Sequence, residues 1–440
     1  MDELAHLMES PFNTTLTQGW NITLEGEVNS KVLRGALDAC LNLYPKLKCT
    51  LTNKYPSLKR LFRYCWEYQD ITSEDILQEF EDLNLDHSNK DLMSHYQNYH
   101  SSHFIDITCE PPIKVLLIRQ AQRSVLIFFI HHAALDGISF FIFFQSLITF
   151  YEDIFYQRKK APGDPPDFEA VSRPYIKFQW KQLLPHHIYT YIKYGPHVEK
   201  ERLALQQIEE GTGSMEKLLA VAREISPAQF KTLRTTSQEH GVTVNDYLIA
   251  SMFHTVKTWN QQGNEKPEKI YLDIPVNLRS PEDRTLGNIL CGFRIALASD
   301  KIGDKENTLR TVRQKRSFMM EKNIARKTVD FAWILKPLPV KLKKFLYRQN
   351  PQTTYPTLTI SNVGIAKPNP SHQDDEGYHY MGLARIHNIA FVAHAPPWPN
   401  FAVATYNDRM TISLAVFQSQ FSLETAENFL DSFIQELYNY

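Results

Sequence analysis

Apolar residues recur along this chain with two periods. Trp20, Ile22 and Leu24 alternate with polar neighbours and predict a strand; behind Ser30, which is expected to cap it, a helix carries Val32, Leu33, Ala36, Leu37, Cys40 and Leu41 on one face, with Pro45 just beyond its end. Leu47–Leu51 predicts another strand. Residues 66–100 are acidic and polar and predict a helical insertion and loop. Strands are then expected at Ile113–Arg119 and Ser124–Ile130, spaced for antiparallel pairing, before apolar residues return at helical spacing from Ile138 to Phe155.

The second half repeats the alternation. A strand at 218–224 precedes Ser226-Pro-Ala-Gln229, which combines an N-cap, proline at the first helical position and glutamine three residues on. That helix should run to Gly241, and a second one begins at Thr243-Val-Asn-Asp246 with Tyr247, Leu248, Phe253 and Val256 as its core residues. Further strands are predicted through Ile270, Leu272, Ile274 and Val276, over Thr357–Gly364, and at Ile389–Ala393, Phe401–Tyr406 and Met410–Val416; Ser422 caps the closing helix. Between the halves, Gln157–Asp167 is polar with three prolines and a glycine and reads as a linker. The expected organisation is α/β (α+β): a first subdomain over 1–160, a linker over 161–180, and a second subdomain over 181–440.

With 440 residues, two cores are more natural than one, and 43% hydrophobic residues can fill both. The net charge of −1, with no basic block longer than Arg158-Lys159-Lys160, gives nucleic acid nothing to bind. Five cysteines without a C-x-x-C pair, and a start at Met-Asp-Glu-Leu without a basic, apolar leader, fit a reducing, cytoplasmic setting. Ile138–Phe155 is apolar but interrupted by Ser139, Gln145, Glu152 and Asp153, so a buried helix is expected rather than a stable membrane span. No Gly-rich phosphate loop, nucleophile elbow or metal-ligand cluster is evident. His132 and Asp136 could share a metal only with a third ligand nearby, so none is expected.

The candidate chemistry lies at His131-His132-Ala133-Ala134-Leu135-Asp136-Gly137. A buried strand delivers two histidines into a tight turn, and Gly137 opens the helix leaving it. A histidine there can face a cleft as a general base, since its pKa suits proton transfer near neutrality. His-His-x-x-x-Asp-Gly in this setting resembles the signature of the chloramphenicol acetyltransferase-like superfamily, which includes nonribosomal condensation domains, stand-alone polyketide-associated acyltransferases, wax ester synthases and BAHD acyltransferases. Asn245-Asp246 at a helix start, Val276-Asn-Leu-Arg279 and Leu286-Gly-Asn288 follow in the order seen in condensation-type enzymes, and Ser361-Asn362-Val-Gly364 resembles an element of the stand-alone acyltransferases. The Asp-Phe-Gly-Trp-Gly element of the BAHD branch is absent.

The resemblance implies two similar subdomains arranged as a V-shaped pseudo-dimer with a tunnel between them. It implies transfer of an acyl group from a phosphopantetheine thioester, on an acyl carrier protein or coenzyme A, to an alcohol or amine acceptor. No bound cofactor is implied, and a monomer suffices. His132 is the implied base. Gly137, whose N–H opens a helix, is the first candidate oxyanion donor, and Ser361 with Asn362 is a second candidate for the oxyanion or the substrate. His131 would order the turn. Asp136 would turn away from the cleft to pair with Arg279. A wax ester or acylglycerol synthase, and an inactive condensation-like binding module, are the alternative readings.

Overall fold

The computed structural model describes residues 16–52, 64–81, 104–120, 122–158, 185, 189, 218–262, 269–280, 283–334, 337–343, 356–368, 373–394, 398–418 and 421–439. The expected linker, 161–180, lies outside them. In chain order the strands of the first half are β1 (Thr17–Glu25), β2 (Cys49–Thr52), β3 (Cys65–Tyr68), β4 (Leu77–Glu81), β5 (Ile113–Arg119) and β6 (Arg123–His131). Those of the second half are β7 (Leu218–Ile225), β8 (Lys269–Asn277), β9 (Leu290–Ala298), β10 (Leu358–Ile365), β11 (Tyr380–Met381), β12 (Ala384–Val392), β13 (Asn400–Tyr406) and β14 (Arg409–Phe417). They form two six-stranded mixed sheets, ordered β11-β12-β1-β6-β5-β4 and β7-β14-β13-β10-β8-β9, while β2 and β3 pair separately.

Alternation along β1 explains the first sheet's two faces. Trp20, Ile22 and Leu24 pack with Phe128, Ile130 and the helices Ser30–Leu43 and Gly137–Phe155. Trp20 lies between Phe140 and Phe391, its ring centroid 4.2 Å from one and 4.4 Å from the other. On other strands of the sheet, Leu116, Ile118, Ile127 and Phe129 turn the opposite way, and meet Ala220, Ala222, Ala415 and Phe417 of the second sheet. The two sheets therefore share a dry seam. The second sheet's far face is covered by helices, with Tyr247, Leu248, Phe253 and Val256 of Val244–Gln262 buried as expected, alongside Phe401, Phe429 and Phe433.

Among the described residues one helix, Gly137–Phe155, is long and apolar enough to cross a membrane by length and composition. In the fold, Phe140, Phe143, Phe144, Leu147 and Ile148 of that helix are buried in the first core.

Two local expectations need correction. The cap of the first helix is Asn29, whose side chain accepts the Val32 N–H, while Ser30 Oγ donates to Glu79 Oε1 at 2.5 Å. Within 66–100, the described part forms β3, a short helix at Ser73–Ile76, and β4 rather than a helical insertion. Polar β4 misleads because it is a sheet edge, where charge is tolerated and discourages further pairing; Glu79 on it accepts from Arg34 at 2.6 Å. The strand expected at Ile389–Ala393 is present as β12, and it joins the first sheet in antiparallel register with β1, Gly19 opposite Val392 and Trp20 opposite Phe391. The segment 181–440 thus contributes strands to both sheets.

Candidate active site

His131 closes β6, and the chain then turns sharply into Gly137–Phe155. The turn is strapped to its neighbours by main-chain bonds. His131 N–H donates to Pro112 O at 2.9 Å, His132 N–H to Leu16 O at 2.8 Å, and buried Gln18 Nε2 donates to Leu135 O at 2.9 Å. Gln18 was not legible as a site residue, since one polar residue at the head of a strand carries no signal.

The two histidines are used differently. His131 is fully buried, and its Nδ1 accepts the Ala133 N–H at 3.1 Å, which orders the turn. His132 Nδ1 is buried and meets no hydrogen-bond partner among the described residues. Burial pushes the His132 pKa below its ordinary 6.5, against the residue's own main chain and the Asp136 charge, and His131 lowers it further. The His394 ring stands edge-on to His132, centroids 5.3 Å apart and planes at 83°. His394 follows β12 among small residues and prolines, with no pattern that could have singled it out.

Asp136 caps the helix and is wholly committed. Its Oδ1 accepts the Ser139 N–H at 2.8 Å, and its Oδ2 accepts Arg279 Nη1 at 2.7 Å and the Ile289 N–H at 2.8 Å. The paired side chains are 0% and 1% exposed. Arg279 uses every N–H of its guanidinium: Nη1 also reaches Asn277 Oδ1, Nη2 reaches Ser139 Oγ at 2.6 Å and Gly287 O at 2.9 Å, and Nε reaches Thr285 O at 3.2 Å. Ser139 Oγ in turn donates to Gly287 O and accepts the Gly287 N–H. The first helix turn of one half is thereby clamped to the segment between β8 and β9 of the other. Ser139 was met in the sequence only as a polar interruption of an apolar helix; three residues beyond the cap, it was placed to join this network.

Gly137 sits under the end of β10. A Cβ on it would lie 2.7 Å from Val363 Cγ1, and Val363 is β-branched and stiff. Gly137→Ala is therefore expected to lower stability by about 1–3 kcal/mol, and Val363→Ala in the same chain should restore most of it; thermal denaturation of the single and double variants checks this. The Gly137 N–H has no hydrogen-bond partner among the described residues. Along β10, Leu358 and Ile360 face the second core, so Thr359 and Ser361 face the other way, toward the first half. Ser361 Oγ also has no partner among the described residues, whereas Asn362 Oδ1 accepts the N–H of Gly364, whose φ is +80°, at an irregularity in the pairing of β10 with β13. Ser361 thus keeps its hydroxyl for another group, while the Asn362 carbonyl is spent on local structure.

Among the described residues no group of three His, Cys, Asp or Glu side chains could hold a metal ion. The site combines a histidine at a strand end, a helix-start N–H without a partner among the described residues, and a clamp that joins the two halves of the chain. The sequence profile of the condensation domain matches residues 5–266. The chain belongs to the condensation-domain family. It is 25% identical over 171 residues, 36% of its length, to bacitracin synthase 3 of Bacillus licheniformis, of which it spans only 2%. Its fold is similar to that of the trichothecene 15-O-acetyltransferase from Fusarium sporotrichioides, with a TM-score of 0.72 and 12% identity over 99% of this chain and 93% of that one. It is also similar to the starter condensation domain of rhizomide synthetase solved with C8-CoA, with a TM-score of 0.69 and 12% identity over 99% of this chain and 92% of the other.

Proposed function

We propose that this protein moves an acyl group from a phosphopantetheine thioester, on a carrier protein or coenzyme A, directly onto a hydroxyl or amine. The observation that carries this reading is the placement of His132: it stands just past the end of β6 with Nδ1 buried and Asp136 held away by Arg279, which leaves Nε2 as the nitrogen to act as the base. His132 Nε2 takes the proton of the acceptor O–H or N–H while that atom attacks the thioester carbonyl. The resulting oxyanion accepts the Gly137 N–H, with the Ser361 hydroxyl as a second donor. The C–S bond then breaks and the imidazolium returns the proton to the thiolate, giving ester or amide plus free thiol. One residue serves both proton transfers.

Support for a thioester donor comes from the peptide synthases and the C8-CoA complex among the relatives, and support for a hydroxyl acceptor from the O-acetyltransferase. A tunnel between the two halves, open to donor and acceptor from opposite sides, fits this scheme. Cys49 or Cys291 as nucleophile does not, since only a thiolate attacks and burial pushes both thiols up to about 11. Intact-protein mass spectrometry with acyl donor alone should show no adduct, and kinetics should be sequential. A stoichiometric adduct on a serine or cysteine would overturn direct transfer.

The pH profile follows from the same residue. The base works when neutral, and burial lowers its pKa below 6.5, so the acid limb of kcat/KM should fall only below pH 6.5. An acid limb at or above that value would count against His132 in this environment.

A further inference from the structure

We propose that His394 is a positioning residue for this reaction, its ring fixing the plane of the His132 imidazole so that Nε2 stays aimed at the acceptor. The proposal rests on the reading of His132 as the base. The edge-to-face arrangement, 5.3 Å between centroids and 83° between planes, is one that aromatic rings prefer. Among the described residues it is the ring contact His132 makes.

His394 is itself held from both sheets. It follows β12, which is paired to β1 in the first sheet, through buried Ala393. From the second sheet, Asn400 Nδ2 donates to His394 O at 3.0 Å. Asn400 is buried at the head of β13, opposite Thr359, and the Thr359 hydroxyl accepts Trp398 Nε1 at 2.9 Å. The main chain that carries the ring is thus anchored where the sheets converge.

The other titratable neighbours of His132 cannot do this work. His131 is turned onto the Ala133 N–H and Asp136 is bound to Arg279, the Ser139 N–H and the Ile289 N–H. A general base must keep its nitrogen within reach of the acceptor while the proton leaves and again while it returns to the thiolate. Free rotation about the His132 Cβ–Cγ bond would spend much of each cycle with Nε2 misdirected. A ring packed edge-on also keeps water from that side of the imidazole, and so adds to the burial that lowers its pKa.

The test uses the full chain as wild type, His394→Ala and His394→Phe, with the His132 signal in histidine-selective NMR assigned by its loss in His132→Ala. His394→Ala should lower kcat about tenfold, leave KM unchanged, and raise the His132 titration midpoint toward 6.5. His394→Phe keeps a ring without its nitrogens and should stay near wild type in both readouts. A role in stability alone would move neither kcat nor the midpoint. An alanine variant with wild-type kcat and midpoint would overturn the proposal, as would a phenylalanine variant as impaired as alanine, which would assign the effect to a nitrogen instead. The midpoint is read without substrate, so a wild type that transfers no acyl group from any thioester fells the proposed function while the NMR still decides the positioning.

Discussion

His132→Ala should fold as the wild type does and lose about 100-fold to 10,000-fold in turnover, the range that positioned proton transfer supplies. The reason it should fold lies in the main chain. The bond that places residue 132 runs from its N–H to Leu16 O, and alanine keeps it. The imidazole is needed for the proposed chemistry because, with Nδ1 buried, Nε2 is the nitrogen left to take the acceptor proton. His131→Ala should behave in the opposite sense. Its ring is buried and accepts the Ala133 N–H, so its loss leaves a buried donor unsatisfied, at about 1–3 kcal/mol of stability. Paired measurements of kcat and of chemical denaturation separate the two variants. A His132→Ala protein that turns over like wild type would remove the mechanism.

The second large effect is expected at the clamp between the halves. Removing either Asp136 or Arg279 strands a buried charge, which costs about 3–5 kcal/mol. An exposed pair such as Lys322 with Glu321, 3.0 Å apart on a helix surface, is worth about 0–1 kcal/mol. Asp136→Ala and Arg279→Ala should each lower stability by the larger figure and depress activity, because the bonds they lose fix both the start of Gly137–Phe155 and the segment after β8. Together they should cost less than their sum, since the second substitution removes the charge left by the first. Arg279→Lys should also fail: a single ammonium cannot reproduce a planar fork that reaches Asp136, Ser139, Gly287, Asn277 and Thr285 at once. Strictly additive losses in the cycle would mean that the pair is not coupled and that the halves are joined by other contacts.

The sequence by itself determined most of the elements and the turn that carries the proposed base. Alternation in Trp20, Ile22 and Leu24, the buried run before His131, and the capping pattern at Ser226–Gln229 each depend on residues close in the chain, and each is present in the fold, the last with Ser226 and Gln229 bonded reciprocally. The turn at His131–Gly137 is local in the same way, as is the Asp136 cap on Ser139. Polar β4 and the Asn29 cap were missed because an edge strand and two adjacent capping residues look alike without their neighbours. What only the tertiary structure decided is everything that joins distant segments: β12 crossing into the first sheet, Val363 lying against Gly137, Gln18 holding Leu135, Asn400 holding His394, and His394 standing against His132. Periodicity reports which face a residue turns, but not which of many apolar faces will meet it. That choice is made by packing two sheets against each other, and the proposed reaction site lies where that packing brings both halves of the chain to one histidine.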